Sequence, residues 1–187
     1  MSRMVSSGDW ALDIGANVGH YTLRLSELVG QGGRIISFEP VPETFEVLAA
    51  NAMLAPHRNI TLVNAAGSES AGISGMVVPK CGDGGPENFY LARLSESDAG
   101  LQVLCLSVDS LALEHPIRLV KVDTEGHELS VLRGMKGLLE RDHPTLIVED
   151  NDPEVCVYLA GFGFSSEKIA DSSNRIFRPV TPAVGPA

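Results

Sequence analysis

Cysteine is scarce in this chain. Cys81, Cys105 and Cys156 are odd in number and widely spaced, with no Cys-x-x-Cys pair, so no disulfide framework, thiolate metal site or dithiol redox motif is written into them. Buried or surface thiols in a reducing compartment are the expectation. No apolar run reaches membrane-spanning length, and the first residues lack the charged-then-apolar order of a signal peptide,. Basic residues are in the minority, 14 against 24 acidic ones, and form no cluster; the net charge of −10 repels nucleic acid on average,. Internal repeats and charge runs are also missing. What is left is a cytoplasmic, soluble protein with neither a membrane span nor a nucleic-acid partner.

At 187 residues and 44% hydrophobic content, the chain can bury a full core as one domain over residues 1–178,. The apolar run Ala11 to Ile14 reads as a first strand, and a helix follows from about Gly19 to Val29 with Leu23, Leu25 and Leu28 inward, stopped by Gly30, Gly32 and Gly33. Arg34 to Phe38 is a second strand. Pro42 opens a helix to about Met53, Pro56 closes it, and Ile60 to Val63 is a third strand. Residues 66–108 break the rhythm. Their Gly- and Pro-rich stretch Cys81 to Pro86 lies between strand-like Ile73 to Val78 and Leu101 to Leu106, which suggests an inserted loop or hairpin region, either a lid or a surface excursion. Ile117 to Val122 is strand four, Gly126 to Leu139 a helix with Leu129, Leu132, Met135 and Leu139 at helical spacing, and Thr145 to Val148 strand five. A helix from Pro153 to Leu159 leads to Phe164–Ile169 and Arg175–Phe177, an antiparallel closing pair; residues 179–187, with three prolines, read as a disordered tail. Near-continuous apolar strands alternating with helices specify an α/β, doubly wound, mostly parallel sheet.

Ligands of such sheets sit beyond the carboxyl ends of the strands, so the residues just past each strand carry the function. After strand one stands Asp13-Ile14-Gly15-Ala16-Asn17-Val18-Gly19, and after strand two Glu39-Pro40. An acidic residue opening the glycine turn disfavours a pyrophosphate and favours a ligand with positive charge. The α-ammonium and sulfonium of S-adenosylmethionine meet that demand, with Asp13 toward the amino-acid end and Glu39 gripping both ribose hydroxyls. Asp13 could instead accept amides of its own turn, and Asn17 could cap the helix that follows. After strand three come Asn64 to Gly67; after strand four Asp123, Thr124, Glu125, Gly126 and His127; after strand five Glu149 and Asp150. Lys121 shares a strand face with Asp123 and needs a partner if buried, for which Glu149 on strand five is the natural one. Glu125 and Glu128 suit a helix N-terminus. His127 at the same terminus should have a lowered pKa and stay neutral. Asp123, Glu125 and Glu149 could together hold a divalent cation, but no His or Cys ligand spacing accompanies them and no metal is expected.

The ordered series Leu12–Gly19, Ile36-Ser37-Phe38-Glu39-Pro40, Ser107-Val108-Asp109-Ser110-Leu111 and Lys121-Val122-Asp123-Thr124-Glu125-Gly126-His127-Glu128 with Leu132-Arg133-Gly134 resembles the FkbM-type methyltransferases over about Asp9 to Glu149. The Lys-x-Asp-x-Glu-Gly-x-Glu block is the most specific part. The resemblance implies a Rossmann-like, seven-stranded class I sheet with helices on both faces, and S-adenosylmethionine-dependent O-methylation of a hydroxyl on a sugar, lipid or natural-product small molecule. Carried over residue by residue, Asp13, Gly15, Asn17, Gly19 and Glu39 match the family's cofactor site, Ala66 its adenine-side loop, and Asp123, Glu125 and Glu128 its block after strand four; with the neighbouring Ala16 and Pro40, the expected cofactor set is Asp13, Gly15, Ala16, Asn17, Gly19, Glu39, Pro40, Ala66 and Asp123. The catalytic set is Asp123, Glu125, His127 and Lys121, with the general base among the first three. His20 and His127 depart from the family pattern, which often has an aromatic and a small residue there, and the chain begins almost at strand one where relatives carry more. A nicotinamide-dependent oxidoreductase on a similar sheet and a non-catalytic S-adenosylmethionine-binding module remain the alternatives.

Overall fold

Trp10–Ile14 (β1) runs through the middle of a seven-stranded sheet, parallel to Arg34–Phe38 (β2) on one side and Ile117–Val122 (β8) on the other. The computed structural model describes residues 3–82, 85, 88, 91–95, 100–149 and 152–180. Ile60–Val63 (β3) extends the sheet beyond β2, and Thr145–Glu149 (β9) extends it beyond β8, both in parallel. Asn174–Pro179 (β11) then joins β9 antiparallel and Phe164–Lys168 (β10) joins β11 the same way. The order is β10-β11-β9-β8-β1-β2-β3. Strand order reverses between β1 and β8, and that is where such a sheet opens a crevice.

Alternation of side chains divides the core. Leu12 and Ile14 of β1 pack with Val120 and Val122 of β8 against the helices Glu128–Arg133 (α3), Lys136–Asp142 (α4) and Pro153–Gly161 (α5). Ala11, Leu119 and Ile147 face the other way, against Leu25 and Val29 of His20–Val29 (α1). Helices therefore cover both faces, and the buried positions of β1, β8 and β9 are mostly apolar, Asp13 and Lys121 being the charged exceptions,. The buried line of α1 is Thr22, Leu25, Ser26 and Val29; of the expected Leu23, Leu25 and Leu28 it contains Leu25, while Leu23 and Leu28 are half-buried. Two polar residues lie on it because each has a buried partner: the Ser26 hydroxyl donates to Asn59 at 2.6 Å and Thr22 to Asp13 at 2.6 Å. Pro42–Met53 (α2) starts on Pro42 as expected, and its Leu48 is fully buried.

Two expectations change. The helix read as continuous from Gly126 to Leu139 is two helices, α3 and α4, broken at Gly134 and Met135. A β-carbon at Gly134 would stand 1.9 Å from the Ser68 carbonyl oxygen, so the turn there is set by that backbone. The carboxylate of Asp109, in a short 3-10 turn (Asp109–Leu111), starts the second helix afresh by accepting the amides of Gly137 and Leu138 at 2.7 and 3.0 Å, a cap supplied from another segment. Residues 66–108, read as a loop or hairpin insertion, contain a second sheet of four strands. Ala66–Gly67 (β4), Leu101–Leu106 (β7), Gly72–Val77 (β5) and Arg93–Ser95 (β6) lie in that order, with Val41, Met76, Val103 and Cys105 in a small core beneath. Part of the Cys81 to Pro86 stretch, Asp150 and residues 181–187 lie outside the described residues. Cys81, Cys105 and Cys156 are free thiols. No helix among the described residues is long and apolar enough to cross a membrane.

Candidate active-site cleft

The last backbone bonds of the central strands lead into the crevice. Gly15 and Ala16 both donate to the Phe38 carbonyl, at 3.0 and 2.8 Å, and the Asp123 amide donates to Ile14 at 3.0 Å. The turn that follows passes so close to β8 that a β-carbon on Gly15, whose φ is +80°, would lie 1.8 Å from the Asp123 carbonyl oxygen. Close approach to a neighbouring strand, as well as the turn itself, thus demands glycine at position 15. Asn17 takes a left-handed φ of 51° and its side-chain oxygen accepts the Val18 amide at 2.7 Å; it does not cap α1, whose N-cap position is Gly19 and which has no side-chain cap.

Glu39 is 6% exposed and holds the floor of a cleft of about 310 Å³. One carboxylate oxygen accepts the Asn17 amide and the other the Val41 amide, both at 2.9 Å. The glycine turn and the start of α2 are therefore tied to one side chain, whose remaining lone pairs are available to the cleft. Burial pushes its pKa upward against those two bonds.

Of the residues singled out by sequence, Gly15, Ala16, Asn17, Glu39, Pro40, Ala66, Lys121, Asp123, Glu125 and His127 all line this cleft. Gly19 and Asp13 stand outside its wall. Gly19 is pressed against Leu48 of α2. Asp13 is fully buried beneath the turn, where one oxygen accepts the Thr22 hydroxyl at 2.6 Å, so it does not face an amino-acid portion of a ligand directly. Burial raises its pKa against the opposing charge of Lys121. Lys121 in turn bonds Asp123 at 2.9 Å on its own strand and stands 4.0 Å from Asp13 on β1. These, rather than Glu149 on β9, are the carboxylates that compensate its buried ammonium.

Beyond β8 the chain turns sharply. Glu125 and Gly126 take φ of 53° and 96°, and Glu128 folds back so that one oxygen accepts the amides of Thr124 and Gly126 and the Thr124 hydroxyl, at 2.9 to 3.2 Å. Glu128 is thus the internal brace of the turn, a more specific duty than facing a helix dipole. Glu125 is left projecting into the cleft, its pKa raised by burial and then by the charges of Asp123 and Glu128. The expected lowering at His127 is present and comes from burial, with Glu128 opposing; its Nε2 lies 3.1 Å from the Ser68 hydroxyl. Asp123, Glu125 and Glu149 bring carboxylate oxygens within 4.8 Å of one another.

Residues not singled out complete the walls. Tyr21 lies in the first turn of α1, its ring centre 4.4 Å from the Lys121 ammonium, and its place two residues past Gly19 was the available signal. Val41, Met76 and Leu94 form an apolar wall; the last two come from the second sheet, and no local pattern announces that contact.

The family model described as the methyltransferase FkbM domain matches residues 13–166. A hexuronic acid methyltransferase, AglP, of Haloferax volcanii is 30% identical over 131 residues, 68% of this chain and 50% of that protein. Methyltransferase 1 of Beauveria bassiana is 28% identical over 66% of this chain and 57% of its own length. The chain therefore spans about half the length of the curated relatives it matches. Among solved structures, an FkbM methyltransferase from Methylobacillus flagellatus KT superposes with a TM-score of 0.66 at 16% identity, covering 93% of this chain and 44% of that one. The fibrillarin of Aeropyrum pernix with bound S-adenosyl-L-methionine has a TM-score of 0.60 at 15% identity, covering 94% and 68%. With the crevice at the β1–β8 reversal, the second carboxylate after β2 and a family model spanning most of its length, this chain belongs to the FkbM methyltransferase family.

Proposed function

We infer that the cleft binds S-adenosylmethionine and transfers its methyl group to a hydroxyl of a small-molecule acceptor, with sugars the favoured class. The observation that carries this reading is Glu39. Both of its oxygens are oriented by backbone amides while the carboxylate still lines the cleft, a preorganised acceptor pair for a vicinal diol such as a ribose. Val41, Met76 and Leu94 offer an apolar lining for a nucleobase, and Asp123 lines the same cleft, a carboxylate for the α-ammonium of the amino-acid end. The residues present fit the cofactor's chemistry on all three counts.

When bound, S-adenosylmethionine supplies a methyl carbon already activated for displacement. The chain's own task is to align a hydroxyl with it, exclude water and take the proton that the hydroxyl loses. Glu125 is the best-placed base: it projects into the cleft, and its raised pKa makes it a stronger proton acceptor than an exposed glutamate,. The Nε2 of His127 is engaged by Ser68 and the Asp123 carboxylate by Lys121, which suits both to positioning. The sugar preference is supported by the relative named as a hexuronic acid methyltransferase.

Titration calorimetry with S-adenosylhomocysteine and, separately, NAD(H) tests the cofactor. Binding of the first and not the second is expected; saturable NAD(H) binding alone would overturn the reading in favour of an oxidoreductase. A labelled-methyl screen over sugars, lipids and natural-product alcohols, read by product mass spectrometry, tests the acceptor. Transfer confined to a nitrogen or carbon nucleophile would reject O-methylation.

A further inference from the structure

Asp13 and Lys121 are register partners on β1 and β8, and Ser37 holds the matching place on β2. A polar row therefore crosses the most buried part of the sheet, one residue short of the crevice. Ser37 and Thr22 hydroxyls stand 2.8 Å apart, and Thr22 donates to one oxygen of Asp13. The other oxygen of Asp13 is buried with no hydrogen-bond partner. The donor facing it is the Lys121 ammonium, 4.0 Å away, which is held at 2.9 Å by Asp123 and flanked by the Tyr21 ring. A buried carboxylate oxygen without a donor is costly, and a charged donor barely beyond bonding distance is unusual enough to need a reason. A shift of about one ångström at the end of a flexible four-carbon stem would exchange one carboxylate for the other.

We propose that Lys121 is a counter-ion with two seats, Asp123 and Asp13, and that Asp13 is a positioning residue acting on the cleft through it. When a cationic group of a ligand takes Asp123, the ammonium passes to the bare oxygen of Asp13. Two carboxylates then serve two cations, and neither of the two buried charges, Lys121 and Asp13, is left unpaired. Without the second seat, Asp123 would keep Lys121 and present a half-neutralised carboxylate to the ligand. The inference rests on the reading of the cleft as an S-adenosylmethionine site, and it assigns the acidic residue of the glycine turn an indirect role.

Calorimetry on the full chain with S-adenosylhomocysteine, which carries an α-ammonium, and adenosine, which lacks one, separates the possibilities. Asp13→Asn should weaken S-adenosylhomocysteine roughly tenfold and change adenosine by less than about twofold. In a Lys121→Met background the same substitution should have little effect, a non-additive pair. Equal losses for both ligands, or additive losses in the double variant, would mean that Asp13 only builds the turn. Should Asp13→Asn fail to fold, the wild-type protein supplies the test: the 15Nζ resonance of Lys121, assigned by its loss in Lys121→Met, should move with saturating S-adenosylhomocysteine and stay put with adenosine. A resonance indifferent to both, while both bind, overturns the two-seat arrangement alone. Failure of wild-type protein to bind either ligand overturns the cofactor reading and this inference together.

Discussion

Position 15 tolerates no side chain, because a β-carbon there would meet the Asp123 carbonyl oxygen at 1.8 Å in a backbone already at positive φ. Gly15→Ala should therefore push β1 and β8 apart at the crevice, lowering stability by about 2–4 kcal/mol in denaturant unfolding and abolishing S-adenosylhomocysteine binding. Glu39→Ala removes the acceptor of two amides as well as the diol contact, and should weaken S-adenosylhomocysteine by at least about tenfold; unchanged affinity by calorimetry would defeat the ribose assignment. Glu125→Gln should instead leave ligand affinity intact and lower kcat by about 10²–10⁴. A base works only when unprotonated, so wild-type kcat should fall as pH drops through the Glu125 pKa. Since burial and two neighbouring carboxylates raise that pKa, the limb should lie above the range of an ordinary glutamate and vanish in Glu125→Gln. Glu39 was legible at this scale because it is the first residue past a second parallel strand, at the carboxyl edge where the crevice opens,. Asp13 was not, because nothing local distinguishes a carboxylate facing the cleft from one turned beneath α1 toward Thr22.

Among the elements, the parallel strands of the large sheet were legible to within a residue because strands buried on both faces are mostly apolar,. The helix break at Gly134 was hidden, since Leu129, Leu132, Met135 and Leu139 keep helical spacing across it and the cause lies in the Ser68 carbonyl and the Asp109 carboxylate, far away in the chain. Asp109→Ala should unfasten the start of α4 at a cost of about 1 kcal/mol, read as a lower urea midpoint with an unchanged slope. The other end of α4 carries Asp142, whose carboxylate accepts the Ile117 amide at 2.9 Å and two guanidinium bonds from Arg141 at 2.7 Å. Burial raises its pKa, but these bonds more than offset that and the net shift is downward. A depressed folded-state pKa contributes stability above the unfolded value and loses it as pH falls through the folded one. The urea midpoints of wild type and Asp142→Asn should therefore differ most above about pH 5 and converge in acid. A gap that is constant from neutral to acid pH would show that the carboxylate's charge is not what joins α4 to β8.

At the scale of the molecule, the topology followed from βαβ alternation, whereas the second sheet did not. Its strands are short and partly exposed, with Gly72 and Gly75 in β5, and their apolar residues Met76, Val103 and Cys105 have meaning only when packed with Val41 at the start of α2. That sheet supplies Met76 and Leu94 to a cleft also lined by Glu39, Asp123 and Glu125, so a ligand there meets apolar and acidic groups together. Among the described residues, Glu39, Asp123 and Glu125 line the cleft together with one ammonium, that of Lys121, and Asp13 lies buried beneath it, within a chain of net charge −10. The local and global fields have the same sign and favour a ligand with net positive charge. S-adenosylmethionine carries that charge, S-adenosylhomocysteine is neutral overall, and adenosine has none. Salt shortens the reach of these fields from roughly 30 Å at 0.01 M to about 8 Å at 0.15 M. Raising ionic strength should therefore weaken S-adenosylmethionine several-fold, S-adenosylhomocysteine less, and adenosine hardly at all, with the three curves converging at high salt. Calorimetry across a salt series measures this directly. Parallel curves for all three ligands would place discrimination between S-adenosylmethionine and S-adenosylhomocysteine in contacts alone, and would remove charge from the account of what the cleft selects.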